Sequence, residues 1–188
     1  MPMCKPIILV DCDDVLVDLV GEWISKLNEI YGTNYTAEDV PDWDFTGLFP
    51  NVKKADLLKP LQKAEIWKKV SPIYDSIVYL KALVSEGYEV YIVTATDYRN
   101  VKFKIESVIS KYYPFIDTNH VIICQKKQMI GDENYVLVDD YVNNLIGGRY
   151  KKILFDRPHN RSVDTAGTDI TRVHGWEECY DYIKSIKP

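Results

Sequence analysis

The 188-residue chain has no apolar run near the ~20 residues that a membrane-spanning helix needs, which excludes an integral helical membrane protein. Its four cysteines, Cys4, Cys12, Cys124 and Cys179, form no CxxC pair, and this excludes a zinc framework or a disulfide scaffold. Positive charge is not in excess: 23 Lys and Arg stand against 28 Asp and Glu, a net charge of -5. A polynucleotide partner calls for a basic stripe, so the charge balance argues against long nucleic-acid tracts as partners. A small phosphate is not excluded, because one lysine and a metal ion suffice to carry its charge. Glycine and proline, nine of each, are dispersed, and no repeat, low-complexity tract or disordered linker is visible. The opening MPMCKP carries no apolar leader, and the expectation is a cytoplasmic protein with reduced thiols.

What is present is a series of β-branched apolar runs: PIILV, YEVYIVT, HVIIC, YVLVD and KKILFD. They are continuous, which suits strands covered on both faces. Helical spacing separates several of them. Ile77, Leu80, Leu83 and Val84 form one stripe, ending at Gly87. Val101, Ile105, Val108, Ile109 and Tyr112 form another, ending before Pro114, and Trp176 to Ile186 forms a last helix. Strand–helix alternation predicts an α/β fold with a doubly wound, parallel, five-stranded sheet. Residues 19–72 break the alternation. Leu19, Val20, Trp23, Ile24, Leu27, Ile30 and Tyr31 make a wide helical stripe closed by Gly32, followed by the irregular VPDWDFTGLFPNV and a patch around Leu57, Leu58, Leu61 and Ile66. The expected organisation is a catalytic core of residues 1–18 and 73–188, with residues 19–72 as a small helical cap inserted after the first strand.

The first run delivers Asp11 and Asp13 into the loop that follows it, and the fourth ends in Asp139 and Asp140. Carboxylates brought close together stay ionised only around positive charge. Two acid pairs at the carboxyl edge of a parallel sheet, where ligands of such folds bind, therefore predict a Mg²⁺ site. Thr94 ends the second run, and Lys126 and Lys127 follow the third. Acids, metal, hydroxyl and lysine are the set that phosphoryl transfer requires, because its transition state spreads negative charge over the equatorial oxygens. Cys12, between two acids and without a positive neighbour in sequence, reads as packing and not as a nucleophile.

The ordered set hhhhDxDxV, hhhT, K and hhhDD resembles the haloacid dehalogenase superfamily of phosphohydrolases. Within it, DCDDVLVDL, VYIVTAT, QKK and VLVDD are similar to the motifs of the 5'(3')-deoxyribonucleotidase family, and ILFDRPHNR and HGWEECYDYI extend the likeness nearly end to end. The resemblance implies an Mg²⁺-dependent phosphomonoesterase that hydrolyses deoxyribonucleoside monophosphates through an aspartyl-phosphate. Asp11 would be the nucleophile and a metal ligand. Asp13 would be the acid and base, touching the metal through its backbone carbonyl. Thr94 and Lys127 would contact the phosphate, with Lys126 the less favoured lysine, and Asp139 and Asp140 would complete the metal site. Asp14 stands where many superfamily members carry glycine, Val15 where many carry threonine, and Ala95 where a second hydroxyl often helps grip phosphate. Leu19 replaces an aromatic that some members use for base stacking. Trp43, Phe45 and Trp67 are the candidates to supply it, Trp43 first because it lies in an irregular acidic loop.

The same core chemistry also suits a phosphatase for a sugar phosphate or another small metabolite. A signalling receiver domain would carry its phosphorylated aspartate after the third run, where Cys124, Gln125 and Lys126 stand. A two-metal nuclease is disfavoured by Lys127 and the acidic balance. Base preference, 5' or 3' position, discrimination against ribose and oligomeric state stay open, a homodimer included.

Overall fold

The computed structural model describes residues 5–41, 43 and 45–186. Six parallel strands form one sheet: β1 (Ile7–Val10), β2 (Val90–Thr94), β3 (Val121–Ile123), β4 (Tyr135–Asp139), β5 (Lys151–Phe155) and β6 (Ile170–Val173), in the order β3-β2-β1-β4-β5-β6. The five expected strands are present, and the sixth corrects the expected count. Among the described residues strand β6 pairs only with β5, and its Ile170, Thr171 and Arg172 are just half-buried, so its sequence lacks the continuous apolar run of a covered strand.

In β1, Leu9 lies opposite Tyr91 of β2 and Leu137 of β4. The side-chain period of two sorts the apolar strand residues between two cores. Ile8, Val10, Ile92, Val136, Val138, Ile153 and Phe155 join the larger one, while Leu9, Val93, Leu137 and Leu154 join the smaller.

Among the described residues, eight α-helices accompany the sheet: α1 (Leu19–Tyr31), α2 (Lys54–Leu57), α3 (Ala64–Lys69), α4 (Ser76–Ser85), α5 (Val101–Lys104), α6 (Ser110–Tyr112), α7 (Val142–Leu145) and α8 (Trp176–Ser185). Leu80 and Leu83 of α4 and Trp176, Cys179 and Ile183 of α8 enter the larger core, and Leu145 of α7 enters the smaller. A π-helical turn (Ile105–Ile109) joins α5 to α6. Cys12 and Cys179 are buried, and burial pushes both thiols well above their ordinary value, so neither is a ready nucleophile.

Helix α1 starts where Asp18 accepts from the Gly21 amide and ends at Gly32, whose φ of 67° is the left-handed conformation that favours glycine. Between α1 and α4 the described residues contain only short helical pieces. Trp23 organises them: its ring lies 4.1 Å from that of Phe45 and its Nε1 donates to Leu57 O at 2.8 Å. This segment leaves and rejoins the sheet through one neck, where Asp18 N donates to Ser71 O and Ile73 N donates to Leu16 O, both at 2.9 Å. No helix among the described residues is long and apolar enough to cross a membrane.

Candidate active site

The sheet order reverses between β1 and β4, and the crevice beyond their carboxyl ends is where such folds bind ligands. Asp11 follows β1 and Asp139 ends β4, with Asp140 next in the chain. One carboxylate oxygen from each of Asp11, Asp139 and Asp140 lies within 4.8 Å of the other two, and all three residues are buried. Lys127, on the 3-10 turn after β3, reaches between them, with Nζ 2.6 Å from Asp11 Oδ1 and 2.6 Å from Asp139 Oδ2. Its neighbour Lys126 is exposed. Burial would lower the Lys127 ammonium, but Asp11 and Asp139 outweigh it and leave the group above its ordinary value.

The acids themselves are held in unequal ways. Asp139 is saturated: Oδ1 accepts from Tyr141 N, Oδ2 from Lys127, and both oxygens from Asn144. Burial pushes its carboxyl up to about 6, with Lys127 opposing and Asp11 adding to the rise. Asp140 is held by one oxygen, with Oδ2 2.7 Å from His159 Nε2, while its buried Oδ1 has no hydrogen-bond partner. Burial first, then the charges of Asp139 and Asp11, drive its carboxyl well above the ordinary range. Asp13 repeats the pattern. Its Oδ2 accepts from Lys104 Nζ at 2.6 Å, and its Oδ1 is buried and unpartnered. Burial raises Asp13, and Lys104 pulls against that rise.

Lys104 is the residue that the motifs did not reveal. It is wholly buried at the end of α5, and its Nζ also donates to Thr94 Oγ1 at 2.8 Å. Its sequence signal is a lysine on the apolar stripe, one turn before Val108. The ammonium lies 5.1 Å from the centre of the Trp67 ring, so a tryptophan of α3 packs on the cation that holds Asp13.

Asp14 adopts φ 54°, a left-handed conformation that glycine takes at no steric cost and aspartate tolerates. Here the side chain is used. Its two oxygens accept from Val20 N at 3.2 Å, and one lies 3.3 Å from Arg157 Nη2.

A cavity of about 550 Å³ opens over these groups. Asp11, Asp13, Lys127 and Asp140 line it, together with Leu19, Trp23, Trp43, Leu61 and Trp67. Trp43 lies with its ring centre 4.9 Å from that of His159 and 6.1 Å from that of Tyr141. Phe45 is buried against Trp23 and is not among the described lining residues.

A cluster of three buried carboxylates with one lysine between Asp11 and Asp139 and an orphaned carboxylate oxygen fits a divalent cation, and the all-oxygen donor set suits a hard one. Solved structures share the fold. A putative phosphoglycolate phosphatase from Lactobacillus delbrueckii subsp. bulgaricus superposes with a TM-score of 0.70 at 14% identity, over 96% of this chain and 99% of that one. A haloacid dehalogenase family hydrolase from Deinococcus radiodurans, solved with bound phosphate and sodium, gives 0.65 at 13% identity, over 96% of each chain. The fold is therefore that of the haloacid dehalogenase-like hydrolases. More narrowly, the chain belongs to the 5' nucleotidase, deoxy (pyrimidine), cytosolic type C protein family, whose model matches residues 5–187. A 5'(3')-deoxyribonucleotidase of Bacillus subtilis is 33% identical over 182 residues, 93% of this chain and 96% of its own length. One from Clostridium acetobutylicum is 28% identical over 185 residues, 98% of each.

Proposed function

We propose that this chain is a Mg²⁺-dependent phosphomonoesterase of the cytoplasm that hydrolyses deoxyribonucleoside monophosphates to deoxynucleoside and phosphate. Residues 1–18 and 73–188 act as the catalytic core and residues 19–72 as the cap. The observation that carries this reading is that Asp11, Asp13, Asp140 and Lys127 line one cavity together with Trp23, Trp43 and Trp67.

Asp11 attacks phosphorus, and the bond from phosphorus to the ester oxygen breaks. Asp13 gives its proton to that departing oxygen, which leaves as the nucleoside hydroxyl. Asp13 then takes a proton from water as the water attacks the phosphoryl group on Asp11, releasing phosphate and restoring the carboxylate. The burial that raises the Asp13 carboxyl favours the protonated form with which the cycle begins. Lys127 neutralises charge on Asp11, and the Thr94 hydroxyl, whose oxygen accepts from Lys104, would donate to a phosphoryl oxygen. Asp11, the Asp13 backbone carbonyl and Asp140 would hold Mg²⁺, with Asp140 offering Oδ1. Asp139, already saturated by three donors, would act from one layer out. The cation supplies charge neutralisation for phosphate and nucleophile.

Phosphate release from a panel of nucleoside monophosphates and sugar phosphates, with and without Mg²⁺, tests this reading. Activity should be greatest on deoxynucleotides, vanish on chelation and return with Mg²⁺, and Asp140→Ala should raise the Mg²⁺ needed. Full activity after exhaustive chelation would dismiss the metal, and a preference for sugar phosphates would dismiss the substrate.

Trp43 is proposed to stack on the base from the cap side of the cavity. Such stacking is worth roughly 1–3 kcal/mol. Trp43→Ala should therefore lower kcat/KM for a deoxynucleotide about tenfold, at 1.4 kcal/mol per decade, while leaving p-nitrophenyl phosphate hydrolysis at saturating Mg²⁺ nearly unchanged. Equal losses on both substrates would pass the stacking role to Trp67.

A further inference from the structure

The stretch Asp156 to Arg161 follows β5, and its side chains bind several parts of the site region. Arg157 Nη2 lies 2.9 Å from Asp18 Oδ1 and 3.3 Å from Asp14 Oδ1, and Arg161 Nη1 lies 2.5 Å from Glu38 Oε2. Asn160 Nδ2 donates to the backbone oxygens of Asp140 at 2.7 Å and Phe155 at 2.8 Å. Between them, His159 is 5% exposed, packed against Trp43, with Nε2 2.7 Å from Asp140 Oδ2.

From this geometry we infer that His159 is a positioning residue for the cation site. It anchors Oδ2 of Asp140 so that Oδ1, which no protein donor satisfies, stays directed to the cation. An unanchored carboxylate rotates about its Cβ–Cγ bond and presents either oxygen. Here one oxygen is taken by the ring, and the Asp140 backbone oxygen is fixed by Asn160, so both ends of the residue are held. Partners of this kind fix the geometry of metal-binding side chains, and losing one typically costs about 10–100-fold in metal affinity or activity. The inference rests on the proposed cation role of Asp140, and its test separates the two.

The test measures Mn²⁺ binding to the phosphate-free protein, from the resonance signal of unbound Mn²⁺, alongside thermal melts. His159→Leu keeps apolar bulk against Trp43 without a donor and should raise the Mn²⁺ Kd about tenfold or more. His159→Gln, whose amide nitrogen reaches the place of Nε2, should recover most of that loss. Under turnover, the leucine variant should need correspondingly more Mg²⁺ for half activation, with most of the lost activity returning at saturating Mg²⁺. Should the leucine variant fail to fold, His159→Asn replaces it, since its shorter amide cannot reach the Nε2 position and should show the same loss. Wild-type Mn²⁺ affinity in a folded leucine or asparagine variant, with Asp140→Ala clearly weakened, overturns the role of His159 and leaves the cation site standing. Wild-type affinity in Asp140→Ala overturns the cation site itself.

Discussion

Replacing Asp11 by Asn is expected to stop turnover without unfolding the protein. The amide matches the carboxylate in size but does not attack phosphorus, so the loss should reach at least about four orders of magnitude, or ~5.4 kcal/mol at 1.36 kcal/mol per decade. The fold should not suffer, because Lys127 keeps its contact with Asp139 at 2.6 Å when the Asp11 charge is gone. Asp11 also repels the buried Asp139 and Asp140, so its neutralisation relieves strain in the metal-free protein. The melting temperature of Asp11→Asn without Mg²⁺ should therefore equal or exceed that of wild type. Beryllium fluoride with Mg²⁺ should inhibit the wild-type protein by forming an adduct on Asp11. A folded Asp11→Asn protein that turns over within tenfold of wild type would assign the nucleophile elsewhere.

The second large effect is expected at Lys104. Lys104→Met keeps an unbranched side chain under Trp67 but leaves the Asp13 carboxylate without its buried partner. General acid–base groups contribute about 10²–10⁴-fold, and a mispositioned Asp13 should cost about a hundredfold in kcat near neutral pH. The pH profile carries the distinguishing information. Burial raises the Asp13 carboxyl and Lys104 lowers it, so removing the ammonium raises it further. Protonated Asp13 still serves the departing oxygen, but below its raised pKa it regains a proton from solvent before it can take one from the attacking water. The acid limb of the kcat profile should move to higher pH. Below that limb, hydrolysis of the Asp11 phosphoryl group becomes slow, and a burst of nucleoside should precede the steady state. A uniform loss at all pH values, with no burst, would reduce Lys104 to a packing residue.

Parts of this site can be read directly from the chain because chemistry and periodicity coincide there. Asp11, Thr94, Lys127 and Asp139 each stand at or just beyond the end of an apolar run, and in a parallel sheet those ends share one edge. Lys104 stands on a helix with no motif around it. A lysine within an apolar stripe is ambiguous until the distance to Asp13, 91 residues away, is known. His159 lies in a single 3-10 turn, Pro158–Asn160, and its partner lies 19 positions back. Strand β6 escaped notice because Thr171 and Arg172 give an edge strand no more apolar character than a loop has. The aromatics of the insert show the opposite limit. Phe45 and Trp43 are two residues apart in the same irregular stretch, yet one packs on Trp23 in the core and the other reaches the cavity wall. Without a regular period, sequence does not tell which side of a loop faces inward.

The neck at Leu16–Asp18 and Ser71–Ile73 has an evolutionary consequence. The two chain ends that carry the insert are hydrogen-bonded to each other, so the chain path into and out of the insert is closed at one junction. Lengthening a flexible excursion adds little to its closure cost, about 0.6 kcal/mol for each doubling. Descendants of such a chain can therefore gain, lose or rewrite the roof of the cavity by insertion and deletion at this single doorway.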